Sequence, residues 1–285
     1  MMFSEKKSVA IYLISDSSGE TVLSVSKAVI AQFCDIATIE EYIWTLVRSK
    51  TQIDEAIDQI KQQDNGVVFY TVTDQELRDY LEHRCREIGV VSIFLLKQCF
   101  EAIAGVLGIK TPITGAPGKY KVLDESYYRR IDVINYTVQH DDGQVSDDYD
   151  DADILLLGIS RTSKSPTALY LAQRGFKTAN IPIVKNLEIQ LAAIKKPVIV
   201  GFMISADMLA QIRSNRTLRA GSCLLEEEDV YVSLADIKDE LRYAKKIFSQ
   251  FNIPVVDVTR KAVEEIAAEV INLYCQKRGD HRMKV

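Results

Sequence analysis

Apolar residues recur along the first half of the chain in the two spacings that distinguish strands from helices. Short apolar runs predict strands at residues 8–15, 37–47, 66–72 and 90–96. Apolar positions three and four residues apart predict helices at 20–33, 53–63, 74–89 and 124–140, with a loop containing Pro and Gly at 109–124. Strands that alternate with helices are typical of an open, mostly parallel sheet.

The same alternation restarts in the second half. Strands are predicted at 153–158, 178–184, 197–204 and 253–258, and helices at 165–174, 187–194, 206–219, 233–250 and 261–277. Between the halves, residues 141–153 hold seven Asp, and like charges at that density resist burial. This stretch predicts a boundary between two α/β domains with mostly parallel sheets, residues 1–145 and residues 146–285.

Composition narrows the class of protein. The length of 285 residues also favours two domains, and 47% apolar with 26% charged residues is typical of a globular protein. A net charge of −5 argues against nucleic acid as the main partner. Five Cys without a C-x-x-C pair fit a reducing compartment. Because no signal peptide or membrane-length apolar run is visible, we expect a cytoplasmic protein without membrane contact.

The loop after the strand at 153–158 carries the strongest chemical pattern. Its residues are Gly158, Ile159, Ser160, Arg161, Thr162, Ser163, Lys164 and Ser165. They fit G-x-x-x-x-G-K-[ST], the pattern of a phosphate-binding loop, except that Ser163 replaces the second Gly. A strand-to-helix joint capped by Ser is the plain alternative. The flanking strand and helix, together with Arg161, favour phosphate binding and a P-loop kinase-like second domain.

Physical chemistry explains why such a loop would hold an anion. Successive backbone N–H groups cradle it, and the following helix adds its positive N-terminal end. Lys164 would hold a phosphate oxygen, and the Ser165 hydroxyl would ligate Mg²⁺. Ser163 places a Cβ where Gly normally lets the backbone approach, which suggests a wider loop.

Two further places are candidates for phosphoryl-transfer chemistry. Arg213, Arg216 and Arg219 lie three apart on one predicted helix, where they would clamp a phosphate or form a solvated basic face. Asp257 ends a predicted buried strand, at the sheet edge where ligands gather. It would accept a hydroxyl proton, hold Mg²⁺ indirectly, or merely cap the next helix.

Two polar segments remain open. The turn at 15–21, "SDSSGET", would bind an anion or, more commonly, cap a helix through Asp16, Ser17 or Ser18. "HDDG" at 140–143 would chelate a cation or form a solvated acidic turn, which we favour.

Together these segments resemble the bifunctional regulatory proteins of pyruvate, phosphate dikinase and phosphoenolpyruvate synthase. The resemblance covers nearly the whole chain, and its most specific part is "GISRTSKSPTALYLAQRGFKTANIPIV" at 158–184. Other parts are "SDSSGETV" at 15–22, "AQF" at 31–33, "YYRRID" at 127–132, "HDDG" at 140–143 and "IPVVDVTRKAVEEIAAEVI" at 253–271. Tyr128 in place of Phe and a looser apolar run at 133–138 are departures that bear on packing.

The resemblance implies an ADP-dependent protein kinase that also has a phosphate-dependent phosphorylase activity. The kinase would phosphorylate a Thr of the dikinase, near a phosphohistidine of the dikinase, and release AMP. The phosphorylase would use inorganic phosphate to remove that phosphoryl group and release pyrophosphate. ADP would lie in the loop 158–165, with Mg²⁺ as the expected metal and Lys164, Arg213 and Asp257 as candidate catalytic residues.

Several alternatives stay open at this point. The sequence does not separate the dikinase from the synthase as the partner, and we favour the dikinase. The same loop would also be expected if the protein were a P-loop kinase of a small metabolite or a non-catalytic nucleotide sensor. The N-terminal domain has no assigned role, with partner docking as one candidate. The oligomeric state is also open, a homodimer being plausible for regulators of this kind.

Overall fold

The computed structural model describes residues 7–61, 65–109, 125–142, 149–185, 191–220 and 233–279. The chain divides into two compact units, Met1–Val122 and Leu123–Val285. The division lies earlier than the boundary predicted at 145, because helix α5 (Glu125–Gln139) packs against a helix and a strand of the second unit. No helix in these ranges is long and apolar enough to cross a membrane.

In its described residues, the first unit contains four parallel strands and four helices. They are β1 (Lys7–Ile14), α1 (Glu20–Ile30), β2 (Ala37–Trp44), α2 (Lys50–Ile60), β3 (Gly66–Tyr70), α3 (Gln75–Glu87), β4 (Val91–Phe94) and α4 (Lys97–Leu107). The strand order is β2-β1-β3-β4, and every pair is parallel. Helix α4 was not predicted from the sequence, although good helix formers such as Gln, Glu, Ala and Leu occupy it.

Strand β1 contributes to two apolar layers, because its side chains alternate between the faces of the sheet. Tyr12 and Ile14 pack in one cluster with residues of α2 and α3. Ile11 and Leu13 pack on the other face with Val22 of α1. Burial on both faces explains why this segment is a continuous apolar run rather than an alternating one.

The second unit repeats the alternation after α5. Its elements are β5 (Ile154–Gly158), α6 (Lys164–Gln173), β6 (Thr178–Pro182), β7 (Val198–Met203), α7 (Ala206–Ala220), α8 (Leu234–Gln250), β8 (Val255–Asp257) and α9 (Val263–Arg278). The strand order is β6-β5-β7-β8, again with all pairs parallel. The prediction of two α/β domains with mostly parallel sheets is therefore confirmed.

Only the last residues of the helix predicted at 187–194 are described, since residues 186–190 lie outside the described residues. In the described part, a short 3₁₀ helix is present at Leu191–Ala193. The backbone N–H groups of Lys195 and Lys196 donate to the Asp150 carboxylate, at 2.8 and 3.0 Å, instead of to helical carbonyls. Pro197 follows them, and a residue before proline is disfavoured in the α conformation.

Strand β5 is buried along its whole length and lies at the centre of the second sheet. The chain leaves β5 toward β6 on one side, and β7 is added on the other side. Connections that diverge in this way leave a crevice at the carboxyl end of the central strand, where ligands of open α/β sheets bind. The loop at 158–165 occupies that crevice.

Candidate functional site

The loop starts at a position where only glycine fits. A Cβ on Gly158 would lie 2.9 Å from Thr162 Oγ1 and 3.1 Å from the Phe202 carbonyl oxygen. Both neighbours are fixed, since Thr162 Oγ1 donates to the Ile159 carbonyl at 2.9 Å and Phe202 belongs to β7. The glycine thus lets the loop fold back tightly against the end of the sheet.

The backbone of the loop has an unusual conformation. Arg161 and Ser163 adopt left-handed conformations, with φ of 73° and 61°. A hydrogen-bonded turn at residues 160–161 brings the Thr162 N–H to the Ile159 carbonyl, whereas the N–H groups of Ser160, Arg161 and Ser163 donate to no acceptor among the described residues. Backbone with left-handed residues and free N–H groups forms a concave anion-binding nest. Ser163 stands where the pattern has Gly, but its backbone has the left-handed conformation that Gly commonly adopts.

Lys164 opens helix α6 and is almost completely buried, with 5% of its surface exposed. Its Nζ donates to the Ile159 carbonyl at 3.1 Å, inside the loop. The pKa of Lys164 is lowered to about 8, chiefly by burial and to a smaller extent by Arg161, whereas Asp142 and Asp141 oppose the shift. The ammonium group is thus held within the nest, poorly hydrated and still largely protonated at neutral pH.

Helix α6 starts and ends as the sequence indicates. Ser163 is its N-cap residue, and the Ser163 carbonyl accepts a hydrogen bond from Thr167 Oγ1 at 2.7 Å. Gly175 follows the helix with a φ of 86°, as expected for the position after a C-cap. The positive end of the helix therefore points into the same crevice as the loop.

The acidic segment at the end of α5 lies beside the loop, which the sequence interpretation of a solvated turn did not anticipate. We call His140, Asp141 and Asp142 the aspartate turn. Asn180 of β6, which is fully buried, connects this turn to the loop. Asn180 Nδ2 donates to the Asp141 carboxylate and lies 3.5 Å from Ser165 Oγ, while Asn180 Oδ1 accepts from the Asp142 N–H at 3.2 Å.

Arg213 of α7 is also buried, with 1% exposed. Its guanidinium forms a two-pronged ion pair with the Glu240 carboxylate of α8, at 2.7 and 3.1 Å, and reaches the Ser160 carbonyl at 3.4 Å. In this arrangement Arg213 supports the loop from outside the nest. The side chains of Arg216 and Arg219 lie outside the described residues.

Asp257 lies at the same edge of the sheet but apart from the loop. It is exposed, and its carboxylate accepts the N–H of Thr259 at 2.9 Å. The hydrogen bonds from Thr259 hold the pKa of Asp257 below its usual value. Because β8 lies two strands away from β5 in the sheet, the axes of these two strands are about 10 Å apart. Among the described residues, no hydrogen bond or ion pair joins Asp257 to the loop.

The serine-rich turn of the first unit is not a side-chain cap. Helix α1 has Gly19 as its N-cap residue, with no side-chain cap hydrogen bond. The Asp16 carboxylate instead accepts from the backbone N–H and the hydroxyl of Thr73, at 2.7 and 2.6 Å. The interpretation of Asp16 as a helix cap is therefore corrected: the carboxylate ties the end of β1 to the loop after β3.

The second crevice thus combines a nest, a buried ammonium group and nearby oxygen ligands. The oxygen donors are the carboxylates of Asp141 and Asp142 and the hydroxyl of Ser165. In the described ranges, no group of three or more His, Cys, Asp and Glu side chains forms a metal cluster. The arrangement suits a phosphorylated ligand better than a metal ion enclosed by protein. Most of the fixed polar groups of the loop are N–H groups, which donate hydrogen bonds to phosphate oxygens and do not ligate metal ions.

Comparisons with known proteins agree with this chemistry. The family model described as kinase/pyrophosphorylase matches residues 11–271. A protein of Maricaulis maris named as a pyruvate, phosphate dikinase regulatory protein is 42% identical over 272 residues, covering 94% of each chain. One of Bartonella tribocorum with the same name is 40% identical and covers 98% of this chain and 100% of its own.

Similarity to solved structures is much weaker. A periplasmic ribose ABC transporter structure from Conexibacter woesei covers 74% of this chain and 78% of its own at 14% identity, with a TM-score of 0.26. A likeness at that level carries no argument about this chain.

Proposed function

The chain belongs to the kinase/pyrophosphorylase family, and on that premise we propose that it is a bifunctional regulator of pyruvate, phosphate dikinase. In the kinase direction, the β-phosphoryl group of ADP passes to a threonine hydroxyl of the dikinase, giving phosphothreonine and AMP, and inactivates it. In the other direction, inorganic phosphate attacks the phosphothreonine, giving threonine and pyrophosphate, and restores activity.

One observation supports the proposal most directly, namely the nest between β5 and α6. ADP carries two linked phosphates, and attack of inorganic phosphate on phosphothreonine also builds two linked phosphates. The free N–H groups of Ser160, Arg161 and Ser163, beside the Lys164 ammonium and the positive end of α6, would stabilise both. We therefore propose that both reactions use one binding site.

Lys164 is the proposed electrostatic catalyst in that site. When a phosphate enters, its oxygen would replace the Ile159 carbonyl as the acceptor for Nζ. Since the ammonium is buried, its attraction to the phosphate is weakly screened. Arg161, which is only half-buried, extends the positive charge toward the mouth of the crevice.

The oxygen donors beside the loop fit Mg²⁺. Magnesium prefers carboxylate, hydroxyl and water oxygens and is usually held through one or two carboxylates together with substrate phosphates. Asp141, Asp142 and Ser165 present such donors next to the nest, and we propose that they would hold the ion. Bound there, Mg²⁺ would neutralise charge on the phosphates.

Arg213 and Asp257 receive different proposed roles. Arg213 would position Ser160 and hence the nest, through its ion pair with Glu240. Asp257 remains the proposed acceptor of the threonine proton. Its lowered pKa keeps it ionised at neutral pH, and its exposure makes it accessible to a protein substrate.

The names of the relatives support the dikinase as the target over phosphoenolpyruvate synthase. The decisive experiment incubates the protein with each candidate target, phosphorylated on histidine, together with ADP. We expect AMP release and a phosphothreonine, located by mass spectrometry, on the dikinase. Subsequent inorganic phosphate should remove it and yield pyrophosphate. ADP binding without AMP release would instead indicate a sensor, and transfer from ATP to a small acceptor would indicate a metabolite kinase.

A further inference from the structure

Asn180 is a fully buried amide on β6, an edge strand of the second sheet. Its place in the sheet is fixed by β6, where it lies opposite Leu156 of β5. A buried polar side chain in a strand core is costly unless its hydrogen bonds are satisfied. The partners of Asn180 therefore show what the residue is for.

All the partners of Asn180 belong to the aspartate turn and to helix α6. Its backbone N–H donates to the His140 carbonyl at 3.0 Å. In the side chain, Oδ1 accepts from the Asp142 N–H, while Nδ2 faces both the Asp141 carboxylate and the Ser165 hydroxyl. Through its backbone N–H and its side-chain amide together, Asn180 thus contacts three successive residues of the turn and the residue after Lys164.

The turn needs such support because its backbone is strained. Asp142 has a φ of 53°, a conformation that non-glycine residues adopt at a cost of order 1 kcal/mol or more. The turn is also close to the ammonium of Lys164, since both of its carboxylates act on that group. Asn180 holds the strained backbone and one of the two carboxylates at the same time.

We propose that Asn180 is a positioning residue that fixes the aspartate turn against the phosphate loop, so that Asp141 and Asp142 are presented to a magnesium ion on the bound diphosphate. This inference rests on the proposed function. Asn180 itself touches neither ligand. It acts through Asp141, the Asp142 backbone and Ser165, as hydrogen-bonded partners orient metal ligands in other sites.

The test uses pyrophosphate as the probe and calorimetry on the full chain, with and without Mg²⁺. The main variant is Asn180→Leu, which keeps the approximate volume and removes every hydrogen bond of the amide. We expect the gain in pyrophosphate affinity caused by Mg²⁺ to fall about tenfold or more relative to the wild type, as for other residues that orient metal ligands. Binding without Mg²⁺ should stay near the wild-type value, because the nest and Lys164 are retained.

Thr178→Val is the matched control on the same strand and the same face. Its hydroxyl is buried like Asn180 but donates only to the Phe176 carbonyl, away from the loop. We expect this variant to keep both the basal binding and the Mg²⁺ gain. Urea unfolding of both variants shows that each is folded before binding is compared.

Asn180→Asp guards against a failure of the leucine variant to fold. It keeps an acceptor for the Asp142 N–H but replaces the donor that faces Asp141 with a second carboxylate. Loss of the Mg²⁺ gain in this variant as well would support the inference. A full Mg²⁺ gain in either Asn180 variant, or an equal loss in Thr178→Val, would overturn it. Absence of pyrophosphate binding in the wild type would instead overturn the proposed function.

Discussion

The two sheets have the same strand order, yet their central crevices differ in what fills them. In each sheet the first strand lies between the second and the third, so the same kind of crevice opens at its carboxyl end. After β1 the chain places the carboxylate of Asp16 there, and after β5 it places the ammonium of Lys164. The topology thus provides two equivalent crevices. The charge of the residue placed in each one, a carboxylate or an ammonium, determines which crevice suits an anion.

The crevice of the first unit is satisfied by its own side chains. Asp16 Oδ2 accepts two hydrogen bonds from Thr73, the Thr71 hydroxyl donates to the Ser15 hydroxyl at 3.0 Å, and Arg48 Nε donates to the Asp16 carbonyl at 3.1 Å. A buried carboxylate repels a phosphate. In the second crevice, the N–H groups of Ser160, Arg161 and Ser163 donate to no acceptor among the described residues. On the proposed function, the first crevice is therefore structural and the second binds the ligand.

The largest expected effect comes from removing the ammonium. Lys164→Ala should lower both the kinase and the phosphorylase rate by about a hundredfold or more, because a preorganised charge on the phosphates is lost. AMP and pyrophosphate release measure the two directions separately. Lys185→Ala, an exposed lysine of the same unit, serves as the control. Loss of only one activity would show that the two reactions do not share a nest.

The glycines at the two crevices provide the next test. In Gly158→Ala, the new Cβ would be too close to Thr162 and to the Phe202 carbonyl, so the loop would have to shift. ADP binding should therefore weaken about tenfold, which corresponds to about 1.4 kcal/mol. Gly19→Ala in the first unit is also strained, with a φ of 81° and Thr45 at 2.8 Å from the new Cβ. It should lower the free energy of unfolding while ADP affinity is unchanged. Equal effects of both variants on ADP binding would abolish the functional distinction.

A smaller effect should follow from pH. Because the pKa of Lys164 is lowered to about 8, ADP affinity should fall above pH 8, by at most about tenfold per pH unit. The free energy of unfolding should move in the opposite direction. The unfolded lysine still binds a proton there and the folded one does not, so stability without ligand rises with pH. Calorimetry measures the fall in ADP affinity, and urea unfolding measures the rise in the free energy of unfolding. Neither of these two pH dependences should remain in Lys164→Ala.

The smallest expected effect on ligand binding is that of Asp16→Asn. The two hydrogen bonds from Thr73 lose a charged acceptor, which should cost about 1.5–3 kcal/mol of unfolding free energy. ADP affinity should equal that of the wild type. A clear loss of ADP affinity in a folded variant would assign the first crevice a part in binding.

Most of the fold could be predicted from local pattern. The strands of both sheets follow from apolar runs, and the helices that flank them follow from the three-and-four spacing. Helix α4 was missed, and the described end of the helix predicted at 187–194 is a short 3₁₀ helix. The hydrogen bonds from Lys195 and Lys196 to Asp150 join residues distant in sequence, and no periodicity signals them. The packing of α5 on the second unit, which moves the boundary, is likewise a tertiary contact.

The candidate site was only partly predictable, for the same physical reason. The loop at 158–165 is contiguous, so its pattern is visible in the sequence. Asn180 lies 15 residues from Ser165 and 39 residues from Asp141 in the sequence, although it contacts both. The short motif "HDDG" was the one available signal. No signal in the sequence pointed to Glu240 as the partner of Arg213. That ion pair is the reason why Arg213 is proposed to position the loop and not to clamp a phosphate.

The bond between Lys164 and the Ile159 carbonyl has a consequence for selectivity. An ammonium that already has an acceptor gains only the difference between the old bond and the new one when an anion arrives. On the proposed function, we therefore expect a singly charged ion such as chloride to compete poorly for this ammonium. A diphosphate would engage the loop N–H groups as well as the ammonium, and so would displace the carbonyl more readily than the salts around the protein.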